Sequence, residues 1–228
     1  MNNIASFHLA TWPGALGALA RLGTDRLRLK HVEGLVFWRL LGTGSGSNTS
    51  QGANLKRTAF FAVWQNEQCL QQFLDHHPIA QRWKRADESW HVKLRGAGGH
   101  GSWRGFAVAH ELVRGETGGA IAMITRADVR PRSWRAFRRA GEPVNIELHQ
   151  SEGLLAVVGI GEAPIGRLGT FSLWSSLEAM HRFATQAPQH QAVVERTRNE
   201  QWYGEELFAR FEPYDSAGTW DGIDPLAR

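Results

Sequence analysis

Phe61-Ala-Val-Trp64 and Phe171-Ser-Leu-Trp174 are one pattern written twice, 110 residues apart. Each brackets two smaller residues between an aromatic ring and a tryptophan, a composition that suits a buried strand. The same spacing superposes Arg57 on Arg167, Phe73 on Phe183, Pro78 on Pro188 and Gln81 on Gln191. Upstream, Glu33-Gly-Leu-Val36 matches Glu152-Gly-Leu-Leu155 at a spacing of 119. Downstream, Glu88-Ser-Trp90 matches Glu200-Gln-Trp202 at 112, and Gly101-Ser-Trp103 matches Gly218-Thr-Trp220 at 117. Matches that keep their order while the spacing drifts by loop lengths are what a duplication leaves behind.

Each copy then shows one order of elements. An opening strand (Ile4–Thr11; Ala120–Asp128) precedes a helix (Pro13–Leu22; Pro131–Ala140). A second strand falls near Leu35–Leu41 and Leu154–Ile160, and a third at Thr58–Trp64 and Leu168–Trp174. A helical stretch broken at Pro78 or Pro188 follows, and a closing strand runs near Trp90–Leu94 and Glu206–Phe211. β-Branched and aromatic content argues the strands, and apolar residues at three and four spacing argue the helices. The order β-α-β-β-α-β is ferredoxin-like. The predicted fold class is therefore α+β: tandem ferredoxin-like repeats forming a dimeric-type α+β barrel within one chain, with helices outside. The halves are 1–108 and 119–228, and Gly115, Gly118 and Gly119 mark the seam.

The composition sets outer limits. With 42% hydrophobic and 21% charged residues and no low-complexity tract, the 228-residue chain reads as globular. Its longest apolar runs, such as Leu154–Ile160, are strand-length and too short to span a bilayer. The N-terminus carries no basic leader, and the single cysteine, Cys69, excludes an internal disulfide framework and an all-cysteine metal cluster. The expected location is the cytoplasm. Basic residues concentrate at Arg126, Arg130, Arg132, Arg135, Arg138 and Arg139. Such a surface could meet an acidic redox partner, an anionic membrane face or an anionic cofactor, or simply face solvent. No nucleic-acid-binding motif is present, so nucleic acid is not an expected partner.

Among short motifs, Gly42-Thr-Gly-Ser-Gly46 fits neither a Walker loop nor a dinucleotide fingerprint, and reads as a flexible strand-to-strand loop. Glu162, in Gly159-Ile-Gly-Glu-Ala-Pro164, reads as a turn residue, and Glu205-Glu206 as surface or strand-edge residues. The histidines gain meaning when one copy controls the other. His181 stands where the first copy has Gln71, and His190 where it has Ala80. His190 shares a helix face with Val193, Val194 and Thr197, so an imidazole replaces a methyl group on the apolar side. A core histidine or a ligand both satisfy that pattern; His181, at the edge of its stripe, is the weaker ligand candidate. There is no His-Glu-x-x-His, no zinc set and no nucleophile elbow.

Thr125-Arg-Ala127, Gly159-Ile-Gly-Glu-Ala-Pro164, Thr170-Phe-Ser-Leu-Trp174, His190, Arg196-Thr-Arg198 and Trp202-Tyr-Gly-Glu-Glu-Leu-Phe-Ala-Arg-Phe211 occur in one order. Together they resemble the spheroidene monooxygenase family of carotenoid biosynthesis, over nearly the whole chain. The resemblance implies a heme-containing oxygenase that adds a keto oxygen to an apolar small molecule, a long polyene. It implies heme b (iron protoporphyrin IX), dioxygen and a ferredoxin-type electron donor. It makes His190 the proximal iron ligand, with His181 the alternative, and Arg196 and Arg198 partners of the heme propionates. Three other readings remain open: a heme enzyme that dehydrates or rearranges a nitrogen-containing substrate, a non-catalytic heme-binding protein, and a cofactor-free barrel oxygenase. Peripheral membrane contact and homo-oligomer formation are further expectations.

Overall fold

The structure, a computed structural model, describes residues 3–46, 52–162 and 166–227. The first copy contributes β1 (Ile4–Thr11), α1 (Ala15–Leu29), β2 (Leu35–Gly44), β3 (Ala53–Trp64), α2 (Glu67–His76), α3 (Pro78–Trp83) and β4 (Glu88–Gly101). A short helix, α4 (Val108–Glu111), lies in the connection. The second copy contributes β5 (Ile121–Val129), α5 (Trp134–His149), β6 (Leu154–Gly161), β7 (Arg167–Trp174), α6 (Leu177–Gln186), α7 (Pro188–Asn199) and β8 (Tyr203–Gly218). The prolines act as the sequence requires. Pro78 and Pro188 each open a new helix at its first turn, where the missing N–H costs nothing.

The strands close into an antiparallel barrel in the order β1-β3-β2-β6-β7-β5-β8-β4. The two copies join along β4–β8 and, more briefly, along β2–β6, where Gly42 faces Gly161 and Thr43 faces Ile160. Gly42, Thr43 and Gly44 therefore extend β2 and form the seam, which corrects the reading of a flexible loop. Residues 47–51, between β2 and β3, and Ala163-Pro164 of the second motif lie outside the described residues.

Register defines the equivalence of the copies. Ser6 and His8 face Ala62 and Phe60, as Met123 and Thr125 face Ser172 and Thr170. Two glycine pairs show how faithfully the backbone repeats. Gly34 (φ 71°) and Gly153 (φ 84°) adopt the left-handed conformation before β2 and β6. Gly101 and Gly218 pass so close to the backbone carbonyls of Glu206 and Ser89 that a Cβ would overlap them. One sequence match fails this test. Trp90 lies on β4 opposite Leu9, whereas Trp202 precedes β8; by register the counterpart of Trp90 is Leu207, opposite Arg126. The closing strands thus keep the spacing of 117 throughout, and the shared Glu-x-Trp is coincidental.

Alternation along the strands sends one set of side chains into the barrel and the other outward. Phe7, Phe61, Ile124, Phe171, Leu207 and Phe211 belong to one buried interior cluster, in which the Phe7 and Phe171 rings stack 3.8 Å apart. The interior is a packed core.

Candidate ligand site on the second sheet

The outward faces of the two half-sheets differ, and the difference lies in side-chain volume. In the first copy His8, Phe60 and Leu40 are buried beneath α2 and α3, and Trp83 of α3 lies 4.6 Å from the His8 ring and 5.6 Å from Phe60. The cavity left beside them, bordered by Trp12, Asp25 and Arg82, holds only about 10 Å³, about one water. In the second copy, register replaces His8 by Thr125, Phe60 by Thr170, Leu40 by Gly159 and Trp38 by Val157. Along the helices, Trp83 gives way to Val193. Rings and a leucine become threonine, glycine and valine at all five positions.

The helix layer responds accordingly. α1 buries Ala18, Asp25 and Leu29, and α3 buries Ile79 and Ala80. α5 buries only Leu148, and α7 buries no residue. α5 packs chiefly on α7, whereas α1 packs on β3. Met123, Thr125, Val157 and Thr170 stay half-buried, as do His190, Val193, Val194 and Thr197 facing them from α7. The smaller side chains therefore leave this face of the sheet less closely covered than its counterpart in the first copy, although Met123 and Val157 still pack with Trp174, Met180 and Phe183. Beside this face, an open cleft of about 260 Å³ runs between α5 and α6, bordered by Glu147, Arg182, Phe183 and Ala187.

His190 stands on the inner face of α7, its ring 4.8 Å from Phe183. Its Nδ1 is buried and has no hydrogen bond of normal geometry. Burial lowers the imidazole pKa, against the Ala184 carbonyl and the Glu147 carboxylate, which raise it; the ring is neutral at pH 7. Glu147, on α5, caps the first turn of α7, accepting from the backbone N–H of Gln189 (3.3 Å) and of His190 (3.0 Å). Two turns along the same face, the buried Thr197 Oγ1 also lacks a partner of normal geometry and lies beside the Tyr203 hydroxyl. The His190 imidazole thus stands beside the Ala184 carbonyl and the Thr197 hydroxyl beside that of Tyr203, both on one face of α7.

The other candidates lie elsewhere. His181 is exposed on α6, with Nε2 3.1 Å from Arg210 Nη1. Arg196 and Arg198 are exposed near the end of α7; Arg196 Nε bonds Glu200 at 3.0 Å and stacks over Trp202, and Arg198 forms no ion pair with a described residue. The structure brings none of these three against His190.

Sequence reasoning missed a charged cluster at one end of the barrel. Arg126, 2% exposed, binds Asp128, Glu205 at 2.6 Å and Glu162 at 3.5 Å. Glu162 also pairs with Arg39 at 2.9 Å and Arg104 at 3.6 Å, so it is a half-buried counter-ion and not a plain turn residue. Glu205, near the start of β8 and 22% exposed, joins the same cluster. Burial would push its carboxyl up, but the Gly105 N–H, the Ser102 hydroxyl, the Arg104 N–H and Arg126 hold it down at about 2. Arginine at an inward strand position was the available signal.

No protein-family model matches the chain. It is 30% identical over 227 residues to spheroidene monooxygenase of Cereibacter sphaeroides, covering 98% of this chain and 69% of that protein. It is 31% identical over 193 residues to the enzyme of Rubrivivax gelatinosus, covering 83% and 73%. The Rhodobacter capsulatus enzyme is 28% identical, covering 98% and 95%. Among solved structures, an aldoxime dehydratase in complex with butyraldoxime superposes with a TM-score of 0.61 at 10% identity, over 93% of this chain and 80% of that one. This last likeness shows the fold: a ferredoxin-like pair closed into one barrel. No helix among the described residues is long and apolar enough to cross a membrane.

Proposed function

The chain belongs to the spheroidene monooxygenase family, and from that premise we propose that it is a heme-dependent monooxygenase acting on an apolar small molecule, a long polyene. The observation that carries the reading is the pair of unequal half-sheets. One backbone is repeated, packed with rings in the first copy and faced by threonine, glycine and valine beside a half-buried imidazole in the second.

The chemistry of these residues suits iron protoporphyrin: a broad, flat, apolar group would meet the small side chains Val157 and Gly159 on the sheet and Val193 and Val194 on α7, beside one imidazole. Heme, when bound, would supply an iron able to activate dioxygen, and His190 is the side chain that would hold it.

This chain's own residues do the rest. Burial keeps His190 neutral, with its lone pair available, and the Ala184 carbonyl beside the ring favours a proton on one nitrogen, leaving the other as donor. Glu147 fixes the backbone from which the imidazole hangs. From the sheet, Thr125 and Thr170, directly opposite each other on β5 and β7, offer two hydroxyls in an otherwise apolar wall. At the far end of α7, Arg196 and Arg198 are the cations that carboxylates on a bound porphyrin would meet. An apolar surround excludes water and suits a hydrocarbon substrate.

Titrating hemin into the wild type, His190→Ala and His181→Ala, followed by absorption spectroscopy, tests the reading. A saturable Soret band at one heme per chain, lost or shifted in His190→Ala alone, is expected. Absence of specific hemin binding by the wild type would overturn it, and loss in His181→Ala alone would move the ligand. Turnover of a polyene that requires dioxygen and a reductant separates this function from dehydration chemistry and from a heme carrier.

A further inference from the structure

We infer that the arginine face formed by Arg132, Arg135, Arg138 and Arg139 is the docking surface for a small acidic electron-donor protein. The inference rests on the monooxygenase reading. Placing one oxygen atom of dioxygen in a C–H bond and returning the other as water consumes two electrons and two protons. With Cys69 as its single cysteine, this chain can build neither a four-cysteine iron–sulfur cluster nor a dithiol couple. The electrons must then come from a donor other than the described residues, and a one-electron carrier protein is the occupant proposed.

The four arginines are exposed at the start of α5 and in the 3-10 turn, Pro131–Ser133, that leads into it. Elsewhere some surface guanidinium groups are matched, Arg57 by Asp221, Arg95 by Glu212, Arg182 by Glu178 and Arg196 by Glu200, while Arg26, Arg85 and Arg198 stand singly without an ion pair among the described residues; this face differs in gathering four within one stretch of chain. None of the four on this face has a hydrogen-bond or ion-pair partner among the described residues. Their placement also opposes helix formation. Cations sit at the positive end of the helix dipole, no acid occupies the first turn, and Arg135 and Arg139 repel at i and i+4. The fold gains nothing from this arrangement, so its benefit lies in a partner that brings the missing negative charge.

The face also lies over the correct part of the molecule. Directly beneath it, Trp134 stacks on Phe137 at 6.0 Å, and Phe137 contacts Trp202 at 6.4 Å and Tyr203 at 6.2 Å. The Tyr203 hydroxyl lies beside Thr197 on the inner face of α7, so the ring cluster bridges the arginine surface and the proposed ligand site. Few exposed apolar residues accompany the charges, which suits a transient electrostatic complex better than insertion into lipid.

The test is direct binding of a plant-type [2Fe–2S] ferredoxin, as a generic acidic carrier, to the purified chain, with or without hemin. Wild type should bind at an ionic strength of about 0.01 M and weaken strongly by about 0.15 M, as the Debye length falls from about 30 Å to about 8 Å. Arg135→Glu/Arg139→Glu should weaken binding roughly tenfold or more, and should fold at least as well because it relieves the local repulsion. The control Arg26→Glu/Lys30→Glu, an equal charge change on the exposed face of α1, should bind like wild type. In hemin-loaded protein, reduction by ferredoxin should slow in the α5 variant while reduction by dithionite does not. Equal loss in both variants, or no loss in the α5 variant, would overturn the inference. Binding of anionic phosphatidylserine vesicles through these arginines without ferredoxin binding would also overturn it and assign the face to lipid. A chain that binds no hemin yet loses ferredoxin only in the α5 variant would keep the docking surface and remove the heme.

Discussion

Val193 holds, in the second copy, the position that Trp83 holds in the first, each five residues after the proline that opens its helix. Trp83 lies against Phe60 and Phe73, whereas Val193 stays half-buried. The proposed ligand site is thus a more lightly packed version of an arrangement that the fold already contains. Val193→Trp should restore it. We expect hemin affinity to fall at least tenfold, with the unfolding temperature of the ligand-free protein unchanged or raised. Combining it with Thr170→Phe, the counterpart of Phe60, should abolish binding. Hemin titration and thermal melts followed by circular dichroism check both. Retained affinity in the double variant would place the ligand elsewhere.

Acid should destabilise the fold before any carboxylate titrates. Burial lowers the pKa of His8, His91 and His190, and His91 lowers that of His8 further. Unfolded, each returns to about 6.5. Below that value the unfolded chain binds more protons than the native one, so stability rises with pH. The contribution of these groups is complete above about pH 6.5 and is lost as pH falls toward their depressed native values, at up to about 1.4 kcal/mol per group per pH unit. Urea midpoints measured from pH 7.5 to 5.0 should fall, and His8→Gln should flatten the dependence. Glu205, held at about 2, acts in a separate window: its contribution is present above about 4.5 and lost toward pH 2.

Arg126→Ala should be among the most damaging substitutions in the molecule. It removes the one guanidinium that contacts Asp128, Glu162 and Glu205 together, and leaves Glu162 dependent on Arg39 and Arg104. Breaking a buried ion network by deleting one partner costs about 3–5 kcal/mol. Arg126→Lys should recover only part of this, because an ammonium cannot reproduce the planar fork that meets three carboxylates. Urea denaturation compares the two variants; equal stability in Arg126→Ala and wild type would show that the cluster contributes little to folding.

The duplication, the strand order and the barrel were legible because they rest on local signals. Gly34 and Gly153 sit at matching left-handed positions, and Pro78 and Pro188 at matching helix starts. His190 stood out as a candidate because Ala80 provided its control. What stayed hidden depends on which strand lies beside which. Thr125, Gly159 and Thr170 are unremarkable singly; they become one lightly packed face only when register sets them against His8, Leu40 and Phe60. The same dependence explains the false match of Trp90 with Trp202, and the reading of Glu162 as a turn residue when its partners Arg39 and Arg104 come from the other copy.

Glu147 provides the remaining test, because it links a helix cap to the proposed ligand. Its carboxylate accepts from the Gln189 and His190 N–H groups at the start of α7, at the positive end of that helix dipole. α7 buries no side chain of its own, so this cap and its contact with α5 are the chief constraints on the angle at which His190 meets the sheet. Removing the cap should cost about 1 kcal/mol. In Glu147→Ala the loss should appear in global stability and, to a larger degree, in hemin affinity, since the free imidazole must then be ordered on binding. Glu147→Gln keeps an acceptor oxygen without the charge and should fall between the two. If Glu147→Ala lowered the unfolding midpoint while hemin affinity stayed at the wild-type value, the cap would hold α7 without positioning His190, and the ligand's geometry would have to come from the sheet side.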